Sequence, residues 1–303
     1  MPSSENPFAD IAHHSTQDIL GHPRFLTARS AYVDAVLKLY EGDTFLTRLV
    51  LEAARTVIFA VMISLDARYD ESDRATWPTI SLLKAQMTQF GLASPRRIED
   101  LVARLIHTGF LESSPAKQDG RVRLLSPTDK MLKTDQDWLA AHYLPLELMF
   151  PNPGYPQPIR KDRSFQQAQR LLAIGFLGHG AQIMAGNPAM MLFLTRDAGV
   201  TILMKLIQIA GKSQGSTQAG PSELSHEDIG ALFGVSRTHV RKILQDAAKQ
   251  GLIALSGRGH RVFEITPVMW QAFDRFVAES MSGHDLMFEI AMRQMKMAGG
   301  VAA

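Results

Sequence analysis

The sequence predicts a mostly α protein with small β-wings, in which two winged helix-turn-helix modules are joined by long helices. Three observations lead there. The segment FGVSRTHVRKIL, Phe233–Leu244, sets a turn glycine, a capping serine and a basic amphipathic helix in series. A variant, FGLASPRRIEDL, stands at Phe90–Leu101. After each, a glycine and two short segments read as a strand hairpin, while most of the remaining chain shows helical apolar spacing.

The chain has 303 residues, 46% of them hydrophobic and 20% charged, enough for a large core and about two domains. It holds no cysteine, which excludes disulfides, thiolate metal sites and thiol redox sensing. A formal charge of +2 neither demands nor forbids nucleic acid, because the distribution of charge matters more than its total.

Residues 1–24 are polar, lack a basic patch followed by an apolar run, and read as an unordered start without a secretory signal. Residues 25–150 then form a first helical plus winged-helix half. Ala31–Tyr40 and Thr44–Leu65 have helical spacing: Phe45, Leu46, Leu49, Leu51, Val57, Ile58, Val61 and Met62 face inward, and Arg48, Glu52 and Arg55 face out. The linker, 151–164, places four prolines in its first eight residues and cannot continue a helix. Residues 165–303 form the second half, opening with helices at Phe165–Gly186 and Pro188–Ile209. Asn187 is the expected cap of the latter, with Pro188 at its first position. Leu171–Thr195 carries no formal charge over about one membrane-spanning length, but its glycines, His179, Gln182 and the Asn187-Pro188 break suit a buried helix pair. The expectation is a cytoplasmic protein with no membrane segment.

The halves read as an internal repeat. With one residue allowed for in the turn, Gly91 aligns with Gly234, Ser94 with Ser236, Ile98 with Val240 and Leu101 with Ile243. Beyond the helices Gly109 aligns with Gly251, and Phe110-Leu111 with Leu252-Ile253.

In the second copy SHED, Ser225–Asp228, has the spacing of a capping box, and Ile229, Leu232 and Phe233 face the core. Gly234 makes the turn and Ser236 caps a helix that buries Val240, Ile243, Leu244 and Ala247. Arg237, Thr238, His239, Arg241 and Lys242 are left outward, where a helix in the major groove reads base edges. Arg258 and Arg261 sit at the tip of the wing LIALSGRGHRVFEIT and suit phosphate or the minor groove. The first copy leads with Arg96 and Arg97, but Glu99 and Asp100 stand where the second has Arg241 and Lys242, so weaker or different DNA contact is expected. Its wing offers Lys117, Arg121 and Arg123.

QDGRVRLLSPTDKM resembles the wing and following helix start of MarR-type winged helix-turn-helix regulators, with Asp119 and Arg121 as the Asp-x-Arg element and Leu125 and Thr128 as the strand exit. The resemblance covers about Thr79–Lys133. It implies DNA contact for Arg121 and a supporting role for Asp119. It also implies a fused pseudodimer, monomeric or pairing again as a homodimer, on an imperfect palindrome of double-stranded DNA. MarR-like proteins bind small aromatic or amphiphilic molecules between dimer helices and DNA-binding lobes. GHGAQIMAGNPAMMLFL is therefore the candidate wall for a small hydrophobic or aromatic effector, although Met at helical spacing reads first as core. Trp77, Trp138 and Trp270 likewise read as core anchors.

Enzyme motifs fail. Gly211-Lys212-Ser213 lacks the leading glycine of a phosphate loop, Leu206 holding its place, and the lysine reads as part of a flexible loop. The histidines show no metal-ligand spacing, and His13-His14 falls in the unordered start. Neither a cofactor nor an enzymatic activity is expected. The function expected is sequence-specific transcriptional regulation, as a repressor tuned by a small ligand. A plasmid- or phage-type replication initiator and a protein-binding winged-helix scaffold are the alternatives.

Overall fold

The computed structural model describes residues 11–40, 53–89, 94–214, 222–223, 225–257 and 262–300. Its architecture is mostly α with small antiparallel sheets, as the periodicity predicts. Gly91, residues 44–52 and the wing-tip residues Arg258, His260 and Arg261 lie outside the described residues.

The first half contains helices α1 (Thr16–Leu20), α2 (Phe25–Tyr40), α3 (Ala53–Ala67), α4 (Ile80–Gln89) and α5 (Pro95–His107). A hairpin of β1 (Leu111–Pro115) and β2 (Arg123–Pro127) follows, and then α6 (Asp129–Met149). Part of the polar start is ordered after all. Ser15 and Asp18 form a reciprocal capping box on α1, Ile19 is fully buried, and His14 stacks on Phe150 at 3.6 Å.

In the linker only a short helix forms, α7 (Pro156–Ile159), before Asp162 caps α8 (Arg163–Gly186) by accepting from Phe165 N at 2.8 Å. The single helix expected over 188–209 is broken in two, α9 (Pro188–Leu194) and α10 (Gly199–Gln214). Between them Ala198 takes a left-handed φ of 55°, and a Cβ on Gly199 would overlap the Phe193 carbonyl. The corner was not legible because its apolar residues keep helical spacing across it. Asn187 does not cap α9: its amide donates back to Ile183 O at 2.7 Å and across to Glu279 Oε2 at 2.6 Å. Gly211, Lys212 and Ser213 end up inside α10, not in a loop.

The remaining elements are β3 (Ser222–Glu223), α11 (His226–Phe233), α12 (Arg237–Lys249), β4 (Ile253–Ser256), β5 (Val262–Ile265) and the long α13 (Pro267–Gly300). The sheet has three strands in the order β3-β5-β4, so the wing gains an edge strand that the sequence reading did not include. Two residues carry too little alternation to announce a strand.

One apolar core runs through both halves. Helix α2 packs on α6, and α8 on α13; across the halves, α3 packs on α8 and α10 on α2. Gln208 on α10 donates to Asp34 on α2 at 2.6 Å, and Arg68 just after α3 donates to Leu171 O on α8 at 2.6 Å. Deeper in, Arg170 on α8 makes a forked pair with Asp135 on α6, the closest contact 2.6 Å, and Gln166 adds a third donor at 2.7 Å. Both charges are buried. Satisfied from three sides, the pair holds register, whereas removing one partner would leave an uncompensated charge costing about 3–5 kcal/mol. No helix among the described residues is long and apolar enough to cross a membrane.

Candidate nucleic-acid interface

Helix α11 starts where Ser225 accepts from Asp228 N at 3.2 Å, and it ends at Gly234 with φ 67° and ψ 25°, a left-handed stop that favours glycine. Val235 N then bonds Gly230 O at 2.9 Å, folding the turn back on the helix. Gly230 permits this closeness: a Cβ there would stand 2.7 Å from Val235 O and 3.3 Å from Arg237 N. Sequence reasoning missed Gly230, because a glycine inside a helix looks like a weak spot until the turn beside it is seen.

Ser236 caps α12 by accepting from His239 N at 3.1 Å. Val240, Ile243, Leu244 and Ala247 are completely buried against α11 and its neighbours. Burying each of the three larger side chains contributes roughly 1.5–3 kcal/mol, so the roll of α12 about its axis is fixed from inside. The fixed roll leaves Arg237, Thr238, Arg241 and Lys242 exposed on one face, at the capped end where positive helix-dipole charge adds to theirs.

His239 departs from expectation. Its Nε2 bonds Asp197 O at 2.8 Å in the corner between α9 and α10, so it serves the packing of α12 instead of the open face. Arg196, in the same corner, pairs with Asp246 on α12 at 3.1 Å. The wing strands β4 and β5 pair from Ile253↔Ile265 to Ser256↔Val262, and Gly257, φ 72°, begins the tip. The predicted contacts Arg258 and Arg261 belong to that tip and lie outside the described residues.

In the first half Ser94 caps α5 by accepting from Arg97 N at 3.4 Å, Pro95 takes the first helical position, and Ile98, Leu101, Val102 and Leu105 are buried. Arg96 and Arg97 are exposed at the helix start. Glu99 is ion-paired with Lys84 of α4, which offsets the negative charge expected to repel phosphate; Asp100 stays exposed.

In the first wing, β1 and β2 pair from Leu111↔Pro127 to Pro115↔Arg123. Arg121 is exposed at the tip, but Asp119 does not hold its guanidinium. One carboxylate oxygen accepts from Arg121 N at 3.2 Å and the other pairs with Arg74 at 3.3 Å. The 3-10 turn Arg74–Thr76 lies close enough to compete, a contact that a local motif cannot announce. Arg123 folds back on its own hairpin, donating to the Ser113 hydroxyl at 3.2 Å and to the Ser113 carbonyl. Trp77 anchors the hairpin with Ala116 and Leu124, the core role read for it. Trp270 lies half-buried under the Arg29 guanidinium, 4.7 Å from its ring centroid.

No curated protein and no solved structure matches the chain. Residues 201–267, which span most of α10 and every element through β5, match the Crp-like helix-turn-helix domain. The match falls in the second half of the chain. Together with the capped α12 and its paired wing, it shows that the chain carries a winged helix-turn-helix domain of the kind found in DNA-binding transcription regulators.

Proposed function

We propose that the chain is a sequence-specific repressor of transcription that occupies double-stranded DNA with two winged modules at once. The observation that carries this is the face of α12. Arg237, Thr238, Arg241 and Lys242 stand exposed and side by side at a capped helix start whose opposite face is wholly buried, within the stretch that resembles Crp-like domains. A helix so presented fits the major groove, where Arg bonds guanine O6 and N7 together.

The second module in this reading is α4, α5 and the β1–β2 hairpin, which repeat the order helix, capped helix, hairpin. Support for a fused pseudodimer of MarR type comes from reciprocity. In a two-fold pair, contact of one element with another is matched by its mirror, and here α3 on α8 answers α10 on α2. Pairing of Glu99 with Lys84 weakens the argument for a protein-binding scaffold, which then rests on the exposed Asp100.

Selection of binding sequences from a random duplex pool, at near-physiological salt, tests the reading. An imperfect palindrome with half-sites about one helical turn apart, ~34 Å, is expected. A single asymmetric half-site would limit DNA reading to α12, and no enrichment would remove specific regulation.

A further inference from the structure

The segments that lead into α2 and α8 are each held by a carboxylate. Asp285 on α13 accepts from His14 N at 2.6 Å, and Glu147 on α6 accepts from Tyr155 N. The two acids are equivalent. Each stands at the same distance beyond the threonine that ends a wing hairpin, Thr128 or Thr266, whose hydroxyl bonds back to Gly109 O or Gly251 O. By the same count Phe150 is the equivalent of Phe288. Where these elements converge lies a cavity of about 270 Å³, just below the range of roughly 300–1,000 Å³ for small-molecule sites and so fit for a small ligand. None of its lining residues belongs to a winged module.

The wall combines carboxylates with rings. Asp285 and Glu289 stand one turn apart on the same face of α13, and no Lys or Arg lines the cavity. Phe150, Tyr155 and Phe288 supply the aromatic surface, the rings of Tyr155 and Phe288 meeting edge to face at 4.8 Å. Faces of this kind attract cations through the ring quadrupole.

Asp285 carries the argument. It is only 3% exposed, yet both of its bonds come from neutral donors, His14 N on one oxygen and the Tyr155 hydroxyl on the other at 2.8 Å. Burial, with Asp285 adding to it, holds the Tyr155 hydroxyl well above its ordinary range, so it stays a donor. His13 and His14 also line the cavity, but among the described residues no cationic side chain pairs with Asp285. Charges taken out of water are ordinarily paired, because burial without a counter-charge is costly. Each oxygen of Asp285 also keeps a second lone-pair direction for a further donor.

We propose that this cavity is a site for a small primary alkylammonium ion, its N–H groups on Asp285 and Glu289 and its carbon body against Phe150 and Phe288. A hard metal ion is disfavoured, because such ions take several ligands and no group of three acidic or histidine side chains among the described residues could hold one. An anion would meet two carboxylates and no Lys or Arg. The site stands on the cavity and the buried acid, and it holds whether or not α12 reads DNA.

The test uses the full chain and butylammonium as probe near pH 8, where an alkylamine carries its proton. Butan-1-ol (charge removed) and butanoate (charge reversed) are the comparisons. Calorimetry is expected to show one saturable site for butylammonium, with both comparison molecules about tenfold weaker or worse, the scale of a charged hydrogen bond. Asp285→Asn keeps the size of the side chain, and it is expected to weaken the probe about tenfold or more while leaving the weaker uptake of butan-1-ol unchanged. Glu289 makes no hydrogen bond among the described residues, so Glu289→Gln is expected to keep the parent's melting temperature and to bind about two- to fivefold more weakly. Butylammonium should raise the melting temperature of the parent but not that of Asp285→Asn. Absence of saturable binding to the unaltered chain overturns the site, and equal binding of butan-1-ol overturns recognition of charge. Parent affinity in Asp285→Asn overturns the part given to the buried acid. Should that variant fail to fold, Glu289→Gln decides, and undiminished affinity there overturns the two-carboxylate grip.

Discussion

Arg237 and Arg241 lie one helical turn apart on the exposed side of α12, whose roll is fixed by the buried Val240, Ile243, Leu244 and Ala247. Replacing both with Ala is expected to cost about 2–6 kcal/mol in specific binding, from roughly 1–3 kcal/mol per good base contact, and to flatten the salt dependence. Anisotropy titrations of a selected duplex across a salt series check this, and unchanged affinity would take α12 out of the interface. His239 sits between them and belongs to a different mechanism, because its ring is spent on Asp197 O. In the first wing the same sorting separates Arg121, exposed at the tip, from Arg123, which Ser113 holds.

At the scale of elements, α11 and α12 stand so close at their joint that only a hydrogen fits at position 230. Gly230→Val is expected to destabilise the joint by roughly 1–3 kcal/mol, the usual range for overpacking. Hydrogen exchange should show α11 and α12 losing protection while the α6–α8 core keeps its own, and DNA affinity should fall with them. A variant as protected as the parent would refute the packing argument.

Much of this element was readable in advance. Ser94, Ser236 and Gly234 act through bonds to their own neighbours in the chain, and Val240, Ile243, Leu244 and Ala247 follow a period that local geometry imposes. What escaped the reading depends on residues far apart in sequence. Arg74 captures Asp119 across 45 positions, Asn187 turns to Glu279 across 92, and β3 exists because β5 is there to pair with. The break at Ala198 escaped for another reason: alanine gives no warning of a left-handed backbone.

For the whole molecule, the central fact is that α6 of the first half and α13 of the second meet around two neutral histidines, His142 and His284. A histidine whose folded pKa lies below its unfolded value binds fewer protons when folded. Its contribution is therefore complete above about 6.5 and is lost as pH falls toward the folded value. With His284 pushed from 6.5 to about 4, stability is expected to drop by about 2 kcal/mol from this ring alone between pH 7 and pH 5. Urea midpoints of the parent and of His284→Gln over that interval check the sign: the variant should show the shallower fall. Parallel curves would mean that the ring is already charged in the folded state.

The stack of Trp138 on His142 also makes the protein optically legible. Of its three tryptophans, Trp77 is sealed under the first wing and Trp270 lies beneath Arg29, whereas Trp138 faces His142 across 3.6 Å. The Trp138 ring also lies 5.6 Å from that of His284 on α13, so parting the two helices would change the surroundings of this indole. The molecule thus carries its own lamp at the seam between its halves, and parting them would change its light with no label attached.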